Sequence, residues 1–124
     1  MSNENIKNEF EINSNNVVLC ASSAYDRKYY LNPEFEGLPQ AIKEELQIMC
    51  VLFTAEVGGI LTLEFEEDGE LVLQVHTRED DILFDEIGSG LKIRQIQNHK
   101  RELLEGLEMY YRVMILKDTS FMEE

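Results

Sequence analysis

The sequence predicts an α+β domain with element order ββαββα. The expected architecture is an antiparallel four-stranded sheet with a buried helix and a long C-terminal helix on one face. Three observations carry this reading. Leu61, Leu63 and Phe65, then Leu71, Leu73 and Val75, alternate with other side chains around Asp68-Gly69, the period-two mark of a hairpin. Ile42, Leu46, Met49, Phe53 and Val57 recur at four, three, four and four residues, which is one face of a helix. Ile93, Ile96, Lys100, Leu103, Leu107, Tyr110 and Met114 are spaced 3, 4, 3, 4, 3, 4, a heptad seam on a second helix.

Taken in order, residues 1–15 are rich in asparagine and lack an apolar period. Asparagine competes for its own backbone and favours turns, so a flexible N-terminal tail is expected. VVLCASSAY (Val17 to Tyr25) begins β-branched, Asp26-Arg27 reads as a turn, and KYYL (Lys28 to Leu31) is strand-like. Together they form a first hairpin. NPEFEGLP holds two prolines and a glycine and is a loop. Pro39 opens the first helix, where a missing N–H costs nothing. Cys50, Val51 and Leu52 widen its apolar face nearly all round, so the second half is expected to be deeply buried. Gly58-Gly59 ends it, with Gly58 as a left-handed cap.

The second hairpin admits two registers. A two-residue Asp68-Gly69 loop pairs Phe65 with Val72 and sets oily residues opposite polar ones. A three-residue loop, Glu67-Asp68-Gly69, pairs Phe65 with Leu71, Leu63 with Leu73 and Leu61 with Val75. The second register buries one clean face and is chosen, with Gly69 left-handed in a bulge. The opposite face, with Thr62, Glu64, Gln74 and His76, is expected to stay wet. In the connection that follows, Ile82 to Phe84 fits either a short edge strand or an early helical turn. A helix from Gly90 to Leu116 closes the domain. At about 1.5 Å per residue it would be about 40 Å long, more than a domain this size requires. The domain therefore spans 16–117, with a second flexible tail at 118–124.

One domain of 124 residues buries a real core without staples. An apolar content of 44% and a charged content of 29% are ordinary for a soluble protein. No apolar run approaches the roughly 20 residues of a membrane helix, and the start lacks the layout of a secretory signal, so a cytoplasmic location is expected. Cys20 and Cys50 have no metal-site spacing, and each sits among apolar neighbours. They read as buried small hydrophobes rather than as a nucleophile or a disulfide. The formal net charge of −14 opposes binding to nucleic acid or to an anionic membrane, and leaves a basic protein partner open.

The stretches AYDRKYYLNPEFEGLPQAIKEELQIMC and ILFDEIGSGLKIRQIQ resemble a small uncharacterised bacterial family, found among anaerobic low-GC Gram-positives and known only as a domain of unknown function. The resemblance covers about Val17 to Lys117. It implies a cytosolic single-domain protein and brings no catalytic residue with it.

Within this acidic chain, Lys92, Arg94, Lys100 and Arg101 form a basic block around His99. On a helix they do not share a face, and acids flank them on both sides, so they make a poor nucleic-acid grip. Cations near a helix N-terminus oppose its dipole by a few tenths of a kcal/mol each. The block is therefore read as counter-charge, within the chain or between subunits, with Glu79 to Glu86 well placed to face it. Ser89, Gly90 and Lys92 form a candidate anion-binding helix start, although Gly88-Ser89-Gly90 is neither a Walker A nor a dinucleotide motif. The competing reading is a glycine-rich helix start with Ser89 as a cap. Tyr25, Tyr29, Tyr30, Phe35, Tyr110 and Tyr111 wall a pocket or, more commonly, fill core and rim.

No His, Cys or carboxylate spacing supports metal binding or acid–base or covalent catalysis, so neither cofactor nor catalytic residue is assigned. The function expected is a non-enzymatic cytosolic interaction module that forms a homo-oligomer, a dimer in the simplest case. Its interface would be the seam Ile93, Ile96, Lys100, Leu103, Leu107, Tyr110 and Met114, with the seam lysine limiting register. The alternative is a small-ligand domain or minor enzyme using the Gly88 to Lys92 helix start. An acidic decoy for a basic protein, or a mimic of DNA, is a third reading.

Overall fold

The computed structural model describes residues 15–117. The tails expected at 1–15 and 118–124 lie, but for Asn15, outside the described residues. The elements are β1 (Val17–Ser23), β2 (Lys28–Leu31), a 3-10 turn at Pro33–Phe35, α1 (Gln40–Val57), β3 (Ile60–Phe65), β4 (Leu71–His76), α2 (Glu86–His99) and α3 (Arg101–Met114). The sheet is antiparallel throughout with strand order β2-β1-β3-β4. It is an α+β fold.

The β3–β4 hairpin has the register that buries one clean face: Phe65 opposite Leu71, Leu63 opposite Leu73, Leu61 opposite Val75. Its loop is closed by Glu66 N–H to the Glu70 carbonyl at 2.8 Å, and Gly69 takes φ +91. β1 carries an irregularity between Val18 and Cys20, which leaves Leu19 without a partner on β3. Leu19 thereby joins Cys20, Leu61, Leu63 and Phe65 in the main core, where Leu46, Met49, Cys50, Phe53 and Val57 of α1 meet them.

The other sheet face is not wet along its length. Val18, Ala21, Tyr30 and Ile60 form a second buried apolar cluster against which Tyr25 packs. Thr62 and Glu64 beside it are 0% and 3% exposed, while Gln74 is exposed and His76 half-buried. The two buried polar groups hydrogen-bond each other, Thr62 donating to the Glu64 carboxylate, and Asn16 donates to the same carboxylate at 3.2 Å. Burial is tolerable there because the polar atoms are paired.

The single long helix is replaced by two. Lys100 leaves helical geometry at φ −110 and ψ 23, between α2 and α3. The reason is reach. A straight rod of about 40 Å would overrun a domain of this size. The bend lets Ile93 and Ile96 of α2 pack on the core while Leu104, Leu107 and Tyr111 of α3 are buried at the far end of it. There Tyr111 stacks on Phe65 at 4.1 Å between ring centroids, and Phe35 stacks on both. Glu108 of α3 accepts the Leu71 N–H at 2.7 Å, which satisfies the first donor of the edge strand β4.

Ile82 to Phe84 form neither a strand nor a helical turn joined to α2, but an irregular connection. It is held to the first hairpin by Tyr25, whose hydroxyl donates to Asp81 and accepts the Arg78 N–H at 3.0 Å. Arg78 also lies over the Tyr25 ring at 4.4 Å.

Candidate functional site

Helices α1 and α2 lie side by side and run antiparallel, because Glu56 late in α1 pairs with Lys92 early in α2, and Glu45 early in α1 pairs with Lys100 at the end of α2. Between them runs a groove of about 540 Å³. Ile48, Met49, Leu52, Phe53 and Ile96 give it apolar walls, with Glu44, Gln95 and His99 among the polar residues around it. The second half of α1 is thus not buried all round. Ile48 is 59% and Leu52 is 56% exposed, and on α2 Ile87 and Leu91 are 80% and 55% exposed. No described element covers the outward side of α1. Ile87 and Leu91 stand exposed on the first turns of α2 and do not line the groove, which α2 borders with Lys92, Gln95, Ile96 and His99.

The basic block is counter-charge inside the chain for two of its members, Lys92 and Lys100. Their acids come from α1, not from the segment Glu79 to Glu86. That segment has other duties: Asp81 receives the Tyr25 hydroxyl, and Asp85 caps α2 by accepting the Gly88 N–H at 2.8 Å.

This cap bears on the anion site. The helix begins at Glu86, so Ser89 and Gly90 lie within its first turns rather than ahead of it. A carboxylate already occupies the helix N-terminus, Ser89 is buried with its N–H on the Asp85 carbonyl, and Lys92 is paired with Glu56. The three residues are close in sequence but are not assembled toward a common ligand.

The seam residues face inward. Leu107 is buried, and Ile93, Ile96, Leu103 and Tyr110 pack against the main core. Lys100 holds Glu45, and Met114 is half exposed. Among the described residues, apolar side chains stand exposed at the α1–α2 groove, where Ile48 and Leu52 lie, and elsewhere at Ile82, Leu83, Ile87, Leu91 and Met109.

The family model for DUF6145 matches residues 16–119, the whole of the described domain. The chain belongs to this family of unknown function. No curated protein and no solved structure matches it. For a DUF6145 chain, then, the chemistry has to be read from the residues themselves.

Glu66, Asp68 and Glu70 gather at the β3–β4 turn, largely in solvent, where Asp68 accepts the Glu70 N–H at 2.9 Å and so shapes the loop. His76 and His99 are far apart in role: one on β4 with a buried Nε2 that has no partner among the described residues, the other exposed at the end of α2. Tyr110 and Tyr111 meet Phe35 in the core rim, whereas Tyr25 and Tyr30 belong to the opposite sheet face. They do not wall one pocket. Sequence reasoning missed Ile48 and Leu52 as surface residues. The signal was there, in apolar side chains too many for one helical face, but it was read as deeper burial.

Proposed function

We propose that this DUF6145 protein is a non-enzymatic cytoplasmic interaction module whose partner is a second copy of itself, docked across the α1–α2 groove. The observation that carries the reading is the exposed apolar wall of the groove, Ile48 and Leu52 on α1 beside Ile96 of α2, with Ile87 and Leu91 also exposed on the first turns of α2. Contiguous apolar surface of this kind marks an interaction site. A two-fold arrangement would lay α1 and α2 of one copy on those of the other and close a four-helix layer.

Charge supports a second copy at this face. With a net charge of −14, two chains repel each other over most of their surface. At the groove the ion pairs Glu56–Lys92 and Glu45–Lys100 offset two of the three carboxylates that line it. Like chains meet less repulsion there than the net charge of the chain implies.

The test is solution mass by light scattering on a size column, at low and high salt. The expected result is a dimer that persists in high salt, because apolar burial and not charge holds it. Leu52→Glu should then give a monomer with an unchanged circular dichroism spectrum, since the side chain is exposed. A wild-type monomer at high concentration would overturn the dimer. Titration of that monomer with a basic amphipathic peptide would then ask whether the acidic chain offers the groove to another protein.

A further inference from the structure

The two cysteines lie thirty positions apart and on different elements, yet their Sγ atoms are 3.8 Å apart in the core. Cys20 points from β1, a central strand, toward the helices, and Cys50 meets it from α1. Both are free and buried. Sequence spacing argued for two unrelated small hydrophobes; the fold makes them neighbours.

Their surroundings are polar for a core. Ser22, two positions along β1, and Thr54, one turn along α1, share a hydroxyl hydrogen bond at 2.8 Å. Tyr29, opposite Ser22 on β2, brings a buried hydroxyl that faces the Cys20 and Cys50 thiols. A cavity of about 490 Å³ is lined by Ser22, Tyr29, Val51 and Thr54, the residues next to the thiol pair in the strands and the helix. Neither cysteine lines it and both are 0% exposed, so a peroxide must pass the lining side chains to reach the sulfurs.

We propose that Cys20 and Cys50 are a dithiol that closes to an internal disulfide under a small peroxide, locking α1 to the centre of the sheet. The chemistry needs no other protein group. One thiol, as thiolate, attacks a peroxide oxygen and breaks the O–O bond, leaving a sulfenic acid and, after proton uptake, water. The second sulfur attacks the sulfenic sulfur and forms the S–S bond, and its proton leaves with the hydroxyl as a second water. Two thiols are oxidised and one hydrogen peroxide is reduced. The sulfurs must approach from 3.8 Å to about 2.0 Å, which takes rotamer changes and movement of α1 against the sheet. The shared hydrogen bond and burial push the Cys50 thiol up, so closure is slow at neutral pH and quickens as pH rises.

The experiment exposes the folded full chain to hydrogen peroxide, then unfolds and alkylates it, and reads intact mass. The expected product has lost two hydrogens, takes no alkylating group, runs as a single chain on a non-reducing gel, and melts about 10 °C higher, as a closed loop of thirty residues should. Full alkylation at both cysteines, under oxidation that closes the same chain in denaturant, would overturn the proposal. So would bridges only between chains. Closure without a rise in Tm would overturn the lock.

Discussion

Lys100 donates from its Nζ to the Glu45 carboxylate at 2.9 Å, which ties the bend between α2 and α3 to the first half of α1. The bend itself is made by the backbone. The Lys100 N–H still reaches the Ile96 carbonyl at 2.8 Å, and its own carbonyl accepts from Leu104 at 2.9 Å. Both side chains of the ion pair are partly in solvent, so the pair is weak. Lys100→Ala is expected to lower stability by less than about 1 kcal/mol in thermal melts and to leave helix content unchanged. A loss of several kcal/mol would mean that the ion pair, not the packing of α2 and α3 on either side, makes the bend.

Phe65 stacks on Tyr111 with ring centroids 4.1 Å apart and an interplanar angle of 7°, the shortest ring contact among the described residues. Phe65→Ala should cost about 3–5 kcal/mol, a large part of the roughly 5–15 kcal/mol that such a domain has. Urea unfolding checks this: the midpoint should fall with the slope unchanged. Tyr111→Phe keeps the ring and should cost less than about 1.5 kcal/mol.

Two kinds of glycine respond oppositely to alanine. Gly69 sits at φ +91, and a Cβ there would come within 2.9 Å of the Arg112 side chain, so Gly69→Ala should destabilise by more than about 1 kcal/mol. Gly106 lies in α3 with open space where a Cβ would go, so Gly106→Ala should stabilise by about 0.5–1 kcal/mol. Calorimetry on the two variants should show shifts of Tm in opposite directions.

Stability should fall at alkaline pH. The Cys20 hydrogen bond and burial raise the Cys50 thiol above its ordinary value of 9.0, and burial raises the Tyr29 hydroxyl above 10.0. Above about pH 9 the unfolded chain gives up the thiol proton while the folded chain keeps it, so the unfolded state gains. The tyrosine adds to the slope above about pH 10. These two groups contribute no pH dependence at neutral pH. Denaturant unfolding from pH 7 to 11 should show the decline, and Cys50→Ser should flatten its first part.

The elements were legible in the sequence because each carries its own period. Alternation from Leu61 to Val75 with Gly69 at the turn set the hairpin register, and the stripe from Ile42 to Val57 set the inner face of α1. Thr62 and Glu64 were misread, because alternation tells which residues share a face but not what else lies over that face. The seam from Ile93 to Met114 was read as one rod facing a partner. Its period is the same whether the apolar side meets a second chain or its own core, and only the distance between the two packing sites required the bend at Lys100.

By itself, the sequence determined the fold class, the strand pairing of the second hairpin, the inward face of α1 and the existence of an apolar seam near the C-terminus. These follow from local periodicity and turn chemistry, which act over a few residues. The tertiary structure alone decided that Ile48 and Leu52 stand in solvent, that Lys92 and Lys100 find their acids on α1, and that Cys20 meets Cys50. Each depends on residues far apart in the chain coming within a few ångströms, and no period along a single element carries that information.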